Sequence, residues 1–111
     1  MRIEELLKQL PVTVAGDYFD PAITVAGGYV SDLLSHVMGQ AKAGNVWVTM
    51  QGHQNIAAVA SLVGIAVIII AGGIQPDTET LQKADQERIV ILTTKLTAYE
   101  VVGRLYQLGI C

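Results

Sequence analysis

The segment Gln51-Gly52-His53-Gln54-Asn55 carries the side chains best suited to chemistry in this chain. It joins a β-branched and aromatic run, Val46–Met50, to a helical pattern that begins at Ile56. Gly52 permits a tight turn. The free N–H groups at the start of the following helix favour an anion, and Thr49, Gln51, His53 and Asn55 add polar side chains around them. A histidine there could accept a phosphoryl group, stabilised by the helix dipole and free amides. Neither an activating carboxylate nor an arginine clamp lies near His53 in sequence, and the alternative is an ordinary polar turn and helix cap.

Other chemistries find less support. Gly27-Gly28 lacks the third glycine of a dinucleotide fingerprint, and no phosphate-binding loop of the Gly-x-x-x-x-Gly-Lys type occurs. Ser31, Ser35 and Ser61 lack the context of a nucleophile elbow. Asp32 reads either as a residue that orients the Gly27-Gly28 loop or as a cap. It precedes His36 by four positions, a spacing that suits a surface or interface contact better than a metal site. No paired-histidine zinc motif exists, so neither a cofactor nor a metal is expected, and no catalytic residue is assigned.

These residues need a scaffold, and the charge pattern indicates its type. No Asp, Glu, Lys or Arg stands between Lys42 and Asp77. Inside that gap, Ile56–Ile74 runs for nineteen uncharged residues, which is long enough for a membrane span. Composition argues for a buried core instead. Ile56, Val59, Ala60 and Val63 keep helical spacing, Gly64 interrupts, and Ala66–Ala71 is a short β-branched run closed by Gly72-Gly73. Three consecutive isoleucines form helices poorly but suit a strand buried on both faces, and no Lys/Arg cluster flanks the run to orient a span.

Further elements follow in order. Arg2–Leu10 reads as an amphipathic helix ended by Pro11, Val12–Ala15 as a short strand, Ile23–Val25 as an extended piece and Ser31–Met38 as a helix. After Val46–Met50, the Ile56 helix and the Ala66–Ala71 strand come a helix over Pro76–Arg88, a strand at Ile89–Leu92 and a last helix. Thr97-Ala98-Tyr99-Glu100 spells a capping box at its start, and Gly109 stops it. Strand and helix thus alternate from Val46 onward. This pattern predicts an α/β fold, a three-layer α/β/α arrangement with a mostly parallel central sheet, over a single domain of residues 1–111. Ligands of such sheets bind beyond the carboxyl ends of the strands. The candidate binding loops there are Thr49–Asn55, Gly72–Gln75 with Gly72 and Gly73, and Thr93–Lys95 with Thr94.

Composition bounds the partners. Apolar residues make up 51% of the 111 residues and charged residues 15%, well below the usual ~25% charged. So few charges imply apolar surface held against a partner, most commonly a second copy. Net charge is −3 with no basic stripe, which excludes nucleic acid as an expected partner. Cys111 is the sole cysteine, so no disulfide framework or cysteine metal site forms within one chain. Met1–Leu10 holds Glu4 and Glu5 and no apolar signal core. A cytoplasmic protein without a membrane segment is therefore expected.

A family resemblance adds to this reading. Gly27-Gly28-Tyr29-Val30-Ser31-Asp32-Leu33-Leu34-Ser35-His36-Val37-Met38 resembles the core signature of the DRTGG domain family. Val46–Ile56, Ala57–Ala71, the Pro76-Asp77 helix start and Thr93–Glu100 are similar to the blocks that follow it, so the resemblance covers nearly the whole chain. It implies a fold like the N-terminal domain of HPr kinase/phosphorylase, and a regulatory or assembly module rather than a catalytic one. Such domains are found fused to phosphotransacetylase and to CBS-domain proteins, and also as small stand-alone chains with no established activity. Where the family name spells Asp-Arg-Thr before the glycine pair, this sequence has Thr24-Val25-Ala26. The Asp and Arg of that segment are therefore absent, while Gly27, Gly28 and Asp32 remain.

Three functional expectations result. The first is a homodimeric, non-catalytic regulatory module that senses a small anionic ligand, such as a nucleotide or a phosphate-bearing metabolite. The second is a phosphotransfer protein using His53. The third is a structural subunit whose apolar surface faces another protein.

Overall fold

The computed structural model describes residues 1–53 and 55–111. Gln54, part of the polar hinge singled out above, lies outside the described residues. Ten elements run along the chain: α1 (Ile3–Gln9), β1 (Thr13–Ala15), β2 (Gly28–Val30), α2 (Leu34–Gln40), β3 (Val46–Thr49), α3 (Asn55–Val63), β4 (Val67–Ile70), α4 (Thr78–Glu87), β5 (Val90–Thr93) and α5 (Ala98–Gln107).

The three central strands are Val-Trp-Val-Thr, Val-Ile-Ile-Ile and Val-Ile-Leu-Thr, and every residue in them is buried. Branching at Cβ favours extended backbone and fills the pleated surface. Burial on both faces matches a parallel sheet covered on each side. The sheet order is β1-β5-β4-β3-β2. β2, β3, β4 and β5 are mutually parallel, and β1 alone runs antiparallel, with Thr13 opposite Thr93.

Side chains alternate between the two faces with the period of a strand. Val46, Val48, Val67, Ile69, Val90 and Leu92 pack toward α1 and α5. Trp47, Ile68, Ile70 and Ile91 pack toward α2, α3 and α4. The result is the three-layer α/β/α arrangement predicted from the alternation of elements.

The nineteen-residue uncharged run divides where expected. α3 buries Ile56, Ala57, Val59 and Ala60. Gly64 then takes a left-handed φ of +86°, and both its N–H and that of Ile65 donate to the Ala60 carbonyl. Glycine adopts that conformation without a Cβ penalty and so closes the helix. Among the described residues, no helix is long and apolar enough to cross a membrane.

Two local expectations are corrected. Ile23–Val25 forms no strand; Thr24 makes only an isolated antiparallel bridge with Arg2. The unexpected strand is Gly28–Val30, which pairs with β3 and joins the sheet as its outermost member. The last helix, by contrast, starts as read. Thr97 Oγ1 accepts from the Glu100 N–H, and the Glu100 carboxylate accepts from the Thr97 N–H at 3.0 Å and its hydroxyl at 3.1 Å.

Those bonds from the Thr97 backbone and side chain hold the Glu100 carboxyl below its ordinary range. A lowered folded pKa stabilises the fold above the unfolded value of about 4.3, and that contribution disappears as pH falls through the folded value. Replacing Thr97 with alanine should cost about 1 kcal/mol at neutral pH. The gap from wild type should narrow in acid, when Glu100 is protonated in both proteins. Urea midpoints followed from neutral pH down into acid measure it; a gap that stays constant throughout would refute the bond between the Thr97 hydroxyl and the carboxylate.

Candidate functional site

Parallel strands deliver their carboxyl ends to one rim, where the loops after β2, β3, β4 and β5 gather. Asp32 fastens the first two loops together. One of its carboxylate oxygens accepts from Thr49 Oγ1 at 2.8 Å and from the Met50 N–H at 2.7 Å. Gln51 donates through its side-chain amide to the Asp32 carbonyl, and its own N–H donates to Thr49 Oγ1. Asp32 precedes α2 and does not pair with His36 on that helix, nor does it reach Gly27-Gly28. Bonds from charged acceptors to backbone and hydroxyl donors are among the stronger kinds, so Asp32 acts as a clasp between β2 and β3.

Gly52 is held just as firmly. Its carbonyl accepts from Thr80 Oγ1 at 2.7 Å and from the Asp77 N–H at 2.8 Å. A Cβ at Gly52 would lie 2.7 Å from the Gln75 carbonyl oxygen and 3.2 Å from Pro76 Cα. The glycine is needed for close backbone packing, since no other residue would fit between the loop and the start of α4.

The Gly72-Gly73 loop is tied to the loop after β5. Gly72 N–H donates to the Leu96 carbonyl at 2.7 Å, and Gly73 N–H to the Thr94 carbonyl at 2.9 Å. Thr94 Oγ1 donates to the Pro11 carbonyl at 2.9 Å and accepts from the Leu96 N–H. The amides of both glycines and the hydroxyls of Thr49 and Thr94 therefore knit the rim together and are not free for a ligand.

The structure thus brings Asp32, Thr49, Gln51, Gly52, His53, Gly72, Gly73 and Thr94 to one rim. It places His53 and Asn55 on the surface there, Asn55 as the first residue of α3. Gly27 and Gly28 do not join them. They open β2 at the far end of the sheet, beside Asn45, Val46 and Ile110.

An open groove of about 470 Å³ lies where β1 and β5 meet the Gly72-Gly73 loop. Its walls include Pro11, Thr13, Gln75, Thr93, Lys95 and Glu100. Sequence reading named the loops at Gly72–Gln75 and Thr93–Lys95 but passed over Lys95 itself. The usable signal was that Lys95 is the one lysine or arginine in the three loops expected at this rim. Pro11 and Thr13 enter through the antiparallel edge strand. Among the described residues, no cluster of three or more His, Cys, Asp or Glu side chains suits a metal ion.

Comparison with known families matches residues 22–108 to the DRTGG domain. The chain belongs to the DRTGG domain family. The match spans β2 through α5, including the clasp, the glycine loops and the groove lining after β5. A search of the curated proteins found no match. Among solved structures, this DRTGG domain is similar to the regulatory region of Clostridium perfringens pyrophosphatase, which comprises CBS and DRTGG domains and was crystallised with its activator diadenosine tetraphosphate. The TM-score is 0.76 at 14% identity, over 96% of this chain and 46% of that one. This chain therefore spans just under half the length of that neighbour, and the likeness establishes a shared fold.

Proposed function

We propose that residues 1–111 act as one non-catalytic, homodimeric regulatory module that senses a small anionic ligand at the carboxyl rim of its sheet. The observation that carries this reading is the groove beside Lys95. It is open, its walls mix polar and apolar groups, and Lys95 supplies a cation where parallel sheets take their ligands. Family membership supports a regulatory role, because the DRTGG domain of the structural neighbour belongs to a regulatory region complexed with a nucleotide activator. The ionised Glu100, which also lines the groove, confines the anionic group to the Lys95 end and favours a ligand that offers donors, such as ribose hydroxyls or a base amine, to the carboxylate. A nucleotide meets both demands.

Thermal unfolding with AMP, ADP, ATP, diadenosine tetraphosphate and inorganic phosphate tests the sensing. A ligand at a hundred times its Kd adds ~2.7 kcal/mol, a rise of at least several degrees for a domain of this size. Lys95→Ala should abolish the shift while leaving the unliganded melting temperature within about a degree or two, since exposed substitutions of this kind change stability little. Flat curves across the panel would remove the sensing role. Turnover of any of these compounds would remove the non-catalytic one.

A further inference from the structure

The open edge of the sheet and the flank of α5 beside it form one surface without charged side chains. We propose that a second copy of this chain docks there, pairing β2 antiparallel with its own counterpart across a two-fold axis at Tyr29. This rests on the homodimer reading and adds the surface and the register.

The backbone supplies the first argument. Val46 N–H donates to the Gly27 carbonyl, and Ser31 N–H donates to the Val48 carbonyl. In a parallel ladder, alternate residues turn both groups toward one neighbour. Gly27, Tyr29 and Ser31 therefore face β3, while Gly28 and Val30 direct their N–H and C=O groups outward. Among the described residues, no strand lies beyond β2, and Gly28 and Val30 are both exposed. These two residues flank Tyr29 symmetrically. An antiparallel copy with Gly28 opposite Val30 pairs all four outward groups on each strand and closes at two chains.

The second argument is charge. Sheet edges are normally blunted by lysine, proline or a bulge. From Ala22 to Ser31 there is no proline and no charged residue. The other edge is defended: Pro11 precedes β1, and after it the N–H groups of Asp17 and Tyr18 turn inward to donate to Asp85. α5 is segregated in the same sense. Arg104 lies on the flank toward α1, beside Gln9. Val102 and Tyr106 lie on the flank toward β2, where with Gly28, Val30, Val48 and Leu105 they line an apolar groove of about 210 Å³. Tyr99 continues that flank one turn earlier and is 90% exposed. A two-fold contact sets residues near their own copies, so a charged side chain here would meet its like; the groove and the flank carry none.

The third argument is area. A stable interface takes roughly 800 Å² per partner, about a seventh of the 5755 Å² this chain exposes. A three-residue strand falls short alone. The groove and the α5 flank adjoin it and extend the contact, and beside them Gly103 leaves open space for a close approach, with nothing within 4 Å of a Cβ built there.

Analytical ultracentrifugation at micromolar concentration should show a dimer for the wild type. Val30→Lys and Tyr106→Lys should each weaken it at least tenfold while circular dichroism and cooperative melting persist. Leu62→Lys, on the opposite face in α3, should leave the dimer intact. In a Cys111→Ser background, Tyr29→Cys should oxidise to a covalent dimer, because the central pair of such a ladder brings its Cβ atoms within reach of a disulfide. Leu62→Cys in that background should stay monomeric on a denaturing gel. A monomeric wild type overturns the homodimer reading together with this surface. A dimer that survives both lysine substitutions and fails to cross-link at position 29 overturns the surface alone.

Discussion

Replacing Trp47 with alanine is expected to remove about 3–5 kcal/mol of stability, a large share of the ~5–15 kcal/mol typical of a domain. The indole is fully buried in β3, against the α2, α3 and α4 layer. Its Nε1–H donates to the Ser31 carbonyl at 2.9 Å. Truncation leaves a cavity among isoleucines and an orphaned carbonyl immediately before Asp32, so the loss reaches the clasp that joins β2 to β3. Trp47→Phe separates the two effects. It keeps most of the volume and leaves only the carbonyl unpaired, which should cost about 1–3 kcal/mol. Urea unfolding followed by circular dichroism measures both. A Trp47→Ala midpoint within 1 kcal/mol of wild type would contradict the packing described.

The second large effect is expected at Gly52. Alanine there should cost about 3 kcal/mol, the upper part of the range for overpacking. The atoms that a methyl group would meet are backbone, the Gln75 carbonyl and Pro76 Cα, and they cannot rotate aside. Moving the loop instead would break the bonds from Asp77 and Thr80 to the Gly52 carbonyl. Amide exchange should therefore accelerate at Asp77 in Gly52→Ala, even where global stability permits folding. Unaltered exchange and an unaltered urea midpoint would show that the loop has slack which the geometry does not reveal.

How much of this could be read from the sequence follows from the range of each interaction. Ala66–Ala71 and Ile89–Leu92 were legible as strands because three or four adjacent β-branched or leucine side chains state their preference locally. The Thr97–Glu100 box was legible because both partners lie within one turn. β2 was not, because Gly-Tyr-Val is too short to show alternation and exists through its pairing with β3. Asp32 was read as a cap, as an orienter of the Gly27-Gly28 loop or as a contact of His36, all close in sequence, whereas its side-chain partner is Thr49, 17 positions away. The groove was hidden for the same reason. Lys95 stood within an expected loop, but its opposing wall comes from Pro11 and Thr13 at the other end of the chain. Gly52 was chosen for a tight turn, while its actual demand is contact with Gln75 and Pro76.

The lone antiparallel strand has a kinetic consequence. The Thr94 hydroxyl and the Pro11 carbonyl that it meets are 83 positions apart, and the three rungs of β1 all bind residues of β5. Among the described residues β1 pairs with no other strand. It can therefore join the sheet only after that distant partner is in place. Such distant closure slows folding, so completion of the sheet, and with it the wall of the Lys95 groove, should be the late event in refolding.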